Sequence, residues 1–158
     1  MAEKLIPLED AQSIVLSHVA PTNLVEIPVW QAAGFPLAED AVADIDISPF
    51  ANSAMDGYAV RSADLAQASG ETPVTLDVIG HEAAGHVFEG ALGPGETVRI
   101  MTGAPVPEGA DAVVKYEIVE VLDGDGNEGS HVRFSAPAKV GENVRSAAEE
   151  AHAGDVVI

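Results

Sequence analysis

Two stretches of the chain place side chains suited to chemistry in settings that a hydrophobic core does not need. In Ser48-Pro49-Phe50-Ala51-Asn52-Ser53-Ala54-Met55-Asp56-Gly57-Tyr58-Ala59-Val60-Arg61, a single carboxylate follows small, turn-forming residues and precedes an alternating strand. Pro49 fixes one φ, Asn52 and Ser53 can bond their own backbone, and Gly57 permits a conformation closed to residues with a Cβ. Asp56 is therefore expected on a tightly specified bend, the kind of place where binding and catalytic groups are mounted. In Arg99-Ile100-Met101-Thr102-Gly103-Ala104-Pro105-Val106-Pro107-Glu108-Gly109-Ala110-Asp111-Ala112-Val113-Val114, a strand is predicted to end at Met101 and to present Thr102 on a turn stiffened by glycine and proline. Its hydroxyl can donate to an anion or offer oxygen to a metal, or it can simply bond its own turn; residue type leaves both open. A third cluster, Gly141-Glu142-Asn143-Val144-Arg145 followed by Glu149-Glu150, crowds one arginine and several carboxylates into a loop, for which solvated charge is the plain alternative.

Other motifs fail on spacing. His81-Glu82-Ala83-Ala84-Gly85-His86 resembles a zinc-protease motif, but its histidines are five apart rather than four. On a helix that turns the second ring about 140° from the first, and Gly80 and Gly85 argue against a helix, so two surface imidazoles on a glycine-rich connection are expected. Asp123-Gly124-Asp125-Gly126-Asn127 opens like a calcium loop, yet Glu128 stands where glycine is needed and Phe134 where glutamate is needed, so it reads as a hairpin tip. Gly93-Pro94-Gly95 lacks the lysine of a phosphate loop and marks a tight turn.

The elements that must position these groups follow from periodicity. Leu8, Ala11, Val15 and Val19, with Glu9 and Asp10 in the first turn, predict an amphipathic helix over Pro7 to Val19. Val29 to Ala33 reads as a helical turn closed by Gly34, with Trp30 as a packing anchor, and Phe35 to Ile47 as an irregular strand. Tyr58 to Val60 predicts a strand and Ser62 to Leu65 one helical turn. From Pro73 onward, short Val- and Ile-rich runs punctuated by glycine and proline suggest a small β-barrel or sandwich. Val156-Val157-Ile158 closes the chain on strand formers, from which a fragment is expected.

Composition narrows the class. The 158 residues are 47% hydrophobic and 21% charged, as a folded domain is. Seven Lys and Arg against 26 Asp and Glu give a formal charge of −19, which repels nucleic-acid phosphates and anionic lipid, so neither is an expected partner. No apolar run reaches the roughly 20 residues of a membrane helix, and Met1-Ala2-Glu3-Lys4 does not open a secretory signal. With no cysteine, disulfides and thiolate sites are excluded, and a cytoplasmic location is expected.

Taken together, Pro49 to Arg61 and Arg99 to Val114, supported by Ala38-Glu39-Asp40 and Gly141 to Arg145, resemble the N-terminal part of the molybdopterin molybdenumtransferase family, which completes molybdenum cofactor synthesis and is similar to the C-terminal domain of gephyrin. The resemblance covers essentially the whole chain. It implies an α+β, mostly β fold: an elongated α/β first domain from residues 1–47 and 140–158, and an inserted small β-barrel over 48–139. The pterin-binding and C-terminal domains of the family are absent. It implies a homodimer in the full-length protein and a small-molecule substrate. The implied reaction takes adenylylated molybdopterin and molybdate, hydrolyses the adenylate with a divalent ion, usually Mg2+, and leaves molybdenum on the dithiolene.

Residue by residue, the resemblance makes Asp56 and Thr102 catalytic, with Asp56 also a metal ligand. Asn52, Ser53, Arg61 and Arg145 become substrate-binding, and Arg99 is a further candidate for holding anions. The family's Gly-Glu-Asp falls on Ala148-Glu149-Glu150, so Glu150 takes the place of a metal-binding aspartate, one methylene longer. Ala51 stands where many members carry Asp. On this reading the chain alone is an inactive fragment supplying one wall of a cleft. The alternatives are a non-catalytic dimerisation or partner-binding module of the same fold, and an acidic hydrolase built on Asp56, His81 and His86.

Overall fold

The computed structural model describes residues 5–83 and 85–158, so the Met1–Lys4 stretch and Ala84 of the histidine-bearing connection lie outside the described residues. The chain divides into two compact units, Met1–Asp40 and Ala41–Ile158.

In the first unit the predicted helix forms as α1, Leu8–Ser17. Pro7 stands just ahead of it, where a missing N–H costs nothing, and its carbonyl accepts from Ala11 N–H. At the other end Ser17 Oγ donates to the Ile14 carbonyl, the His18 N–H to the Val15 carbonyl and the Val19 N–H to the Leu16 carbonyl, using up carbonyls that the helix leaves free. None of its residues is buried. The turn Val29–Gln31 forms as a 3-10 helix, and Gly34 follows at φ +88°, a region where a Cβ is strained. Trp30 is not the packing anchor expected: it is 80% exposed, on a three-residue turn none of whose residues is buried.

The second unit is mostly β. Its main sheet has six strands in the order β5-β2-β4-β3-β7-β6. The strands are β2 Gly57–Val60, β3 Val74–Glu82, β4 Glu96–Ile100, β5 Ala112–Lys115, β6 Glu120–Val121 and β7 His131–Phe134. β2 runs antiparallel to both β4 and β5, β3 is parallel to β4, and β7 is antiparallel to β3 and β6. The order runs open from β5 to β6, so the hydrogen bonding builds a mostly β unit without closing the small barrel that was expected.

Alternate residues of a strand face opposite sides. Tyr58 and Val60 of β2 therefore join Leu65, Leu76, Val78, Val132 and Phe134 in one cluster, while Ala59 joins Ile100, Ala104 and Val113 in another. Burial of each large side chain is worth about 1.5–3 kcal/mol. β2, flanked by β5 and β4, is thus covered on both faces. Gly57, at its start, lies so close to the Val114 carbonyl that no Cβ fits there.

A two-stranded sheet pairs β1, Asn52–Ser53, with β8, Val144–Arg145. Beside it, Ala41, Ala43 and Ile47 exchange backbone bonds with residues 151–158. Phe35 to Ile47 does not form the expected strand: only single bridges, Val42 to Val156 and Ile47 to Ala151, survive. Pro36 and the acids among its apolar residues break the alternation that a continuous ladder needs.

Candidate functional site

Asp56 occupies the turn between β1 and β2, and Thr102 the turn that follows β4. The two turns are locked to each other by backbone bonds: Gly103 N–H donates to the Ser53 carbonyl (2.8 Å), Ser53 N–H to the Ala104 carbonyl (3.0 Å), and Ala104 N–H closes on Met101 (3.0 Å). Gly103 takes φ +82°, which this tight return requires. The Asp56 carbonyl accepts from Tyr116 N–H at 3.0 Å. With both turns held, Asp56 Oδ1 accepts from Thr102 N–H at 2.8 Å and from Thr102 Oγ1 at 2.7 Å.

These bonds decide the chemistry of the carboxylate. The backbone and hydroxyl donors of Thr102 hold the Asp56 carboxyl below the ordinary aspartate range, opposed by a little desolvation and helped by the charge of Arg99. A carboxylate so held is a weak base and a good ligand for a cation. Oδ1 is occupied, whereas Oδ2 accepts no hydrogen bond among the described residues and faces solvent on an exposed side chain.

Next to this corner lies an open cavity of about 360 Å3, lined among others by His81, Glu82, Arg99, Met101, Tyr116 and Asp125. Arg99 lies with its guanidinium carbon 4.0 Å from the centre of the Tyr116 ring and 5.3 Å from that of Tyr58. Glu82 is 1% exposed, and its Oε1 accepts from Phe88 N–H at 2.8 Å while its carbonyl accepts from Met101 N–H. Burial pushes the Tyr58 phenol up, against the pull of Arg99.

The other expected site residues fall as follows. Asn52 and Ser53 are buried in β1 and use their side chains inside the turn: Asn52 Nδ2 donates to Ser48 Oγ (2.9 Å), and Ser53 Oγ bonds the Met55 backbone. Arg145 lies opposite Asn52 in the β1–β8 pair, exposed and without an ion pair among the described residues. Arg61 follows the far end of β2 from Asp56 and sits 4.0 Å from Asp64. Glu150 lines a separate depression with Ile47, Ala151, Asp155, Val156 and Val157, and its N–H bonds the Ile47 carbonyl. Ala148 takes φ +56°. His81 and His86 stack face to face, centroids 4.4 Å apart, and no group of three His, Asp or Glu side chains among the described residues is arranged to hold a metal. Tyr58, Tyr116 and Glu82 were not singled out from the sequence as site residues; the signal available was only the alternation that aims Tyr58 and Arg99 to one side of their strands.

Compared with known proteins, residues 6–158 match the family model described as the MoeA N-terminal region (domain I and II). The chain belongs to this family. It is 39% identical over 155 residues to the molybdopterin molybdenumtransferase of Haemophilus influenzae, covering 98% of this chain and 36% of that protein. To the Bacillus subtilis molybdopterin molybdenumtransferase it is 44% identical over 122 residues, covering 77% of this chain and 28% of that protein. The crystal structure of the molybdopterin biosynthesis moeA protein from Pyrococcus horikoshii superposes with a TM-score of 0.83 at 33% identity, over 98% of this chain and 40% of that one. The chain thus spans about a third of the length of the curated relatives it matches.

Proposed function

We propose that this chain supplies the Asp56–Thr102 wall of a site in which adenylylated molybdopterin is hydrolysed and molybdenum from molybdate is placed on the dithiolene, the last step of molybdenum cofactor synthesis. One observation carries the reading: two side chains 46 residues apart converge into a single ionised corner on the surface of a chain of this family.

The residues divide the work. Thr102 fixes the rotamer of Asp56 and keeps it charged. Asp56 Oδ2 is then open to one cation, and magnesium suits such a site, since it takes one or two protein carboxylates and fills its remaining positions with water and phosphate oxygens. Bound there, it would neutralise the phosphoric anhydride of the substrate. The need is plain in a chain of charge −19, which otherwise repels molybdate and phosphate alike. Glu150, in its own depression, has no part in that corner; Arg145, exposed and unpaired, is free to meet a phosphate. The opposite wall would come from the pterin-binding part of the family, contributed by the partner in a homodimer.

The test is reconstitution: the chain, a separately prepared pterin-binding domain, adenylylated molybdopterin, magnesium and molybdate, with release of adenosine monophosphate measured. Asp56→Asn is expected to abolish release, and Thr102→Val to slow it by about 10- to 100-fold, as loss of an orienting partner does. Release indifferent to Asp56→Asn overturns the proposal.

A second reading, a dimerisation or partner-binding module, is favoured by the first unit. α1 buries nothing, and Leu8, Val15 and Leu16 are all more than half exposed. Sedimentation of the chain alone separates the two: self-association with no release of adenosine monophosphate after reconstitution favours the module.

A further inference from the structure

We propose that Arg99 is a positioning residue for the Asp56–Thr102 corner, acting through the two tyrosines that its guanidinium touches. The role presupposes that this corner is the functional site proposed above.

Tyr58 and Arg99 stand directly opposite each other on β2 and β4. Tyr58 lies two residues after Asp56, and Arg99 three residues before Thr102, so the pair sits immediately behind the corner on both of the strands that carry it. Tyr116 supplies the third side. Its ring lies against the guanidinium at 4.0 Å, and its own N–H holds the Asp56 carbonyl. One planar cation therefore touches the strand bearing Asp56, belongs to the strand bearing Thr102, and rests on the residue whose amide pins the Asp56 backbone.

What holds Arg99 is aromatic. No carboxylate lies within ion-pair distance of it among the described residues, although the chain carries 26 acids against 7 basic residues. Its Nη1 makes only a long contact, 3.4 Å, to the Tyr58 hydroxyl, which itself donates to the Gly126 carbonyl at 2.9 Å. Gly126 belongs to the calcium-like hairpin tip, which so finds a use: it backs the stack. A Cβ at Gly126 would come within 2.6 Å of the Tyr58 hydroxyl. The guanidinium carbon lies 4.0 Å from the centre of the Tyr116 ring, a flat contact that an ammonium group does not reproduce.

If the stack merely filled space, its loss would lower stability and leave the corner alone. The discriminating experiment is hydrogen exchange of the Thr102 amide, which donates to Asp56 Oδ1, in the 158-residue chain, compared with amides in the middle of β2 and β4, with the thermal midpoint recorded for each variant. In Arg99→Met and Tyr116→Leu, Thr102 amide exchange is expected to quicken by about tenfold or more beyond any change at those strand amides. Arg99→Lys is expected to fall between these and the parent, and Tyr116→Phe, which keeps the ring, to match the parent. Folded Arg99→Met and Tyr116→Leu proteins whose Thr102 amide exchanges like the parent overturn the role. So does Arg99→Lys equal to the parent, which would leave charge alone as the cause. Should Arg99→Met fail to fold, Tyr116→Leu, at a partly exposed side chain, decides. None of these readouts needs the reaction, so a failed reconstitution with a responsive Thr102 amide would remove the proposed chemistry and leave Arg99 its place.

Discussion

The two units of the chain contain similar kinds of apolar residue and use them differently. In residues 5–40 nothing is buried, whereas Tyr58, Leu65, Leu76, Val98, Ile100 and Phe134 of the second unit are almost wholly withdrawn from water. The difference lies in what faces each side chain. The sheet opposes apolar rows on neighbouring strands, so burial on one strand creates burial on the next. α1 has the right periodicity, yet none of its residues is buried. Precise placement of functional groups needs the first kind of region, and the Asp56–Thr102 corner is mounted on it.

That contrast can be broken most forcefully at Gly57. Gly57→Ala drives a Cβ into the Val114 carbonyl of the neighbouring strand β5, and a loss of roughly 3 kcal/mol or more is expected by urea denaturation. Phe134→Ala should cost about 3–5 kcal/mol, while Trp30→Ala, of an exposed ring, should change stability by no more than about 0.5 kcal/mol. Equal losses at Phe134 and Trp30 would erase the distinction. Thr97→Val removes a buried bond to the Ala59 carbonyl (2.7 Å) and is expected to cost about 1–2 kcal/mol. Ala148→Gly relieves a left-handed backbone and should gain up to about 1 kcal/mol.

The smallest effect concerns acid. Asp56 and Asp123 are both held below the ordinary value of 3.8, by hydrogen bonds from Thr102 and from His131 respectively. Their folded forms thus release protons more readily than the unfolded chain does. The stability they add is complete above the ordinary aspartate value and is lost as pH falls below it through each depressed value. Asp56→Asn and Asp123→Asn should each lower the neutral plateau of a stability–pH curve and so flatten its acid limb. A steeper acid limb would contradict the sign.

How much of this was legible beforehand depended on distance along the chain. α1, the turn at Gly34 and the hairpin tip follow from neighbours a few residues apart, and each formed where its pattern placed it. The strand expected over Phe35 to Ile47 failed because apolar residues without regular alternation do not specify a ladder partner. Asp56 and Thr102 were named through their motifs, but their meeting depends on two turns stitched together by Ser53 and Gly103, which no local pattern shows. The Tyr58–Arg99–Tyr116 stack was less visible still, since it exists only through the β2–β4 register.

The most direct test of the central claim is a crystal structure of this chain together with the pterin-binding part, grown with adenylylated molybdopterin and magnesium. The account predicts the anhydride phosphate beside Asp56, with Oδ2 turned to the cation and Oδ1 still held by Thr102. A substrate seated on another face, with the corner in open solvent, would contradict it.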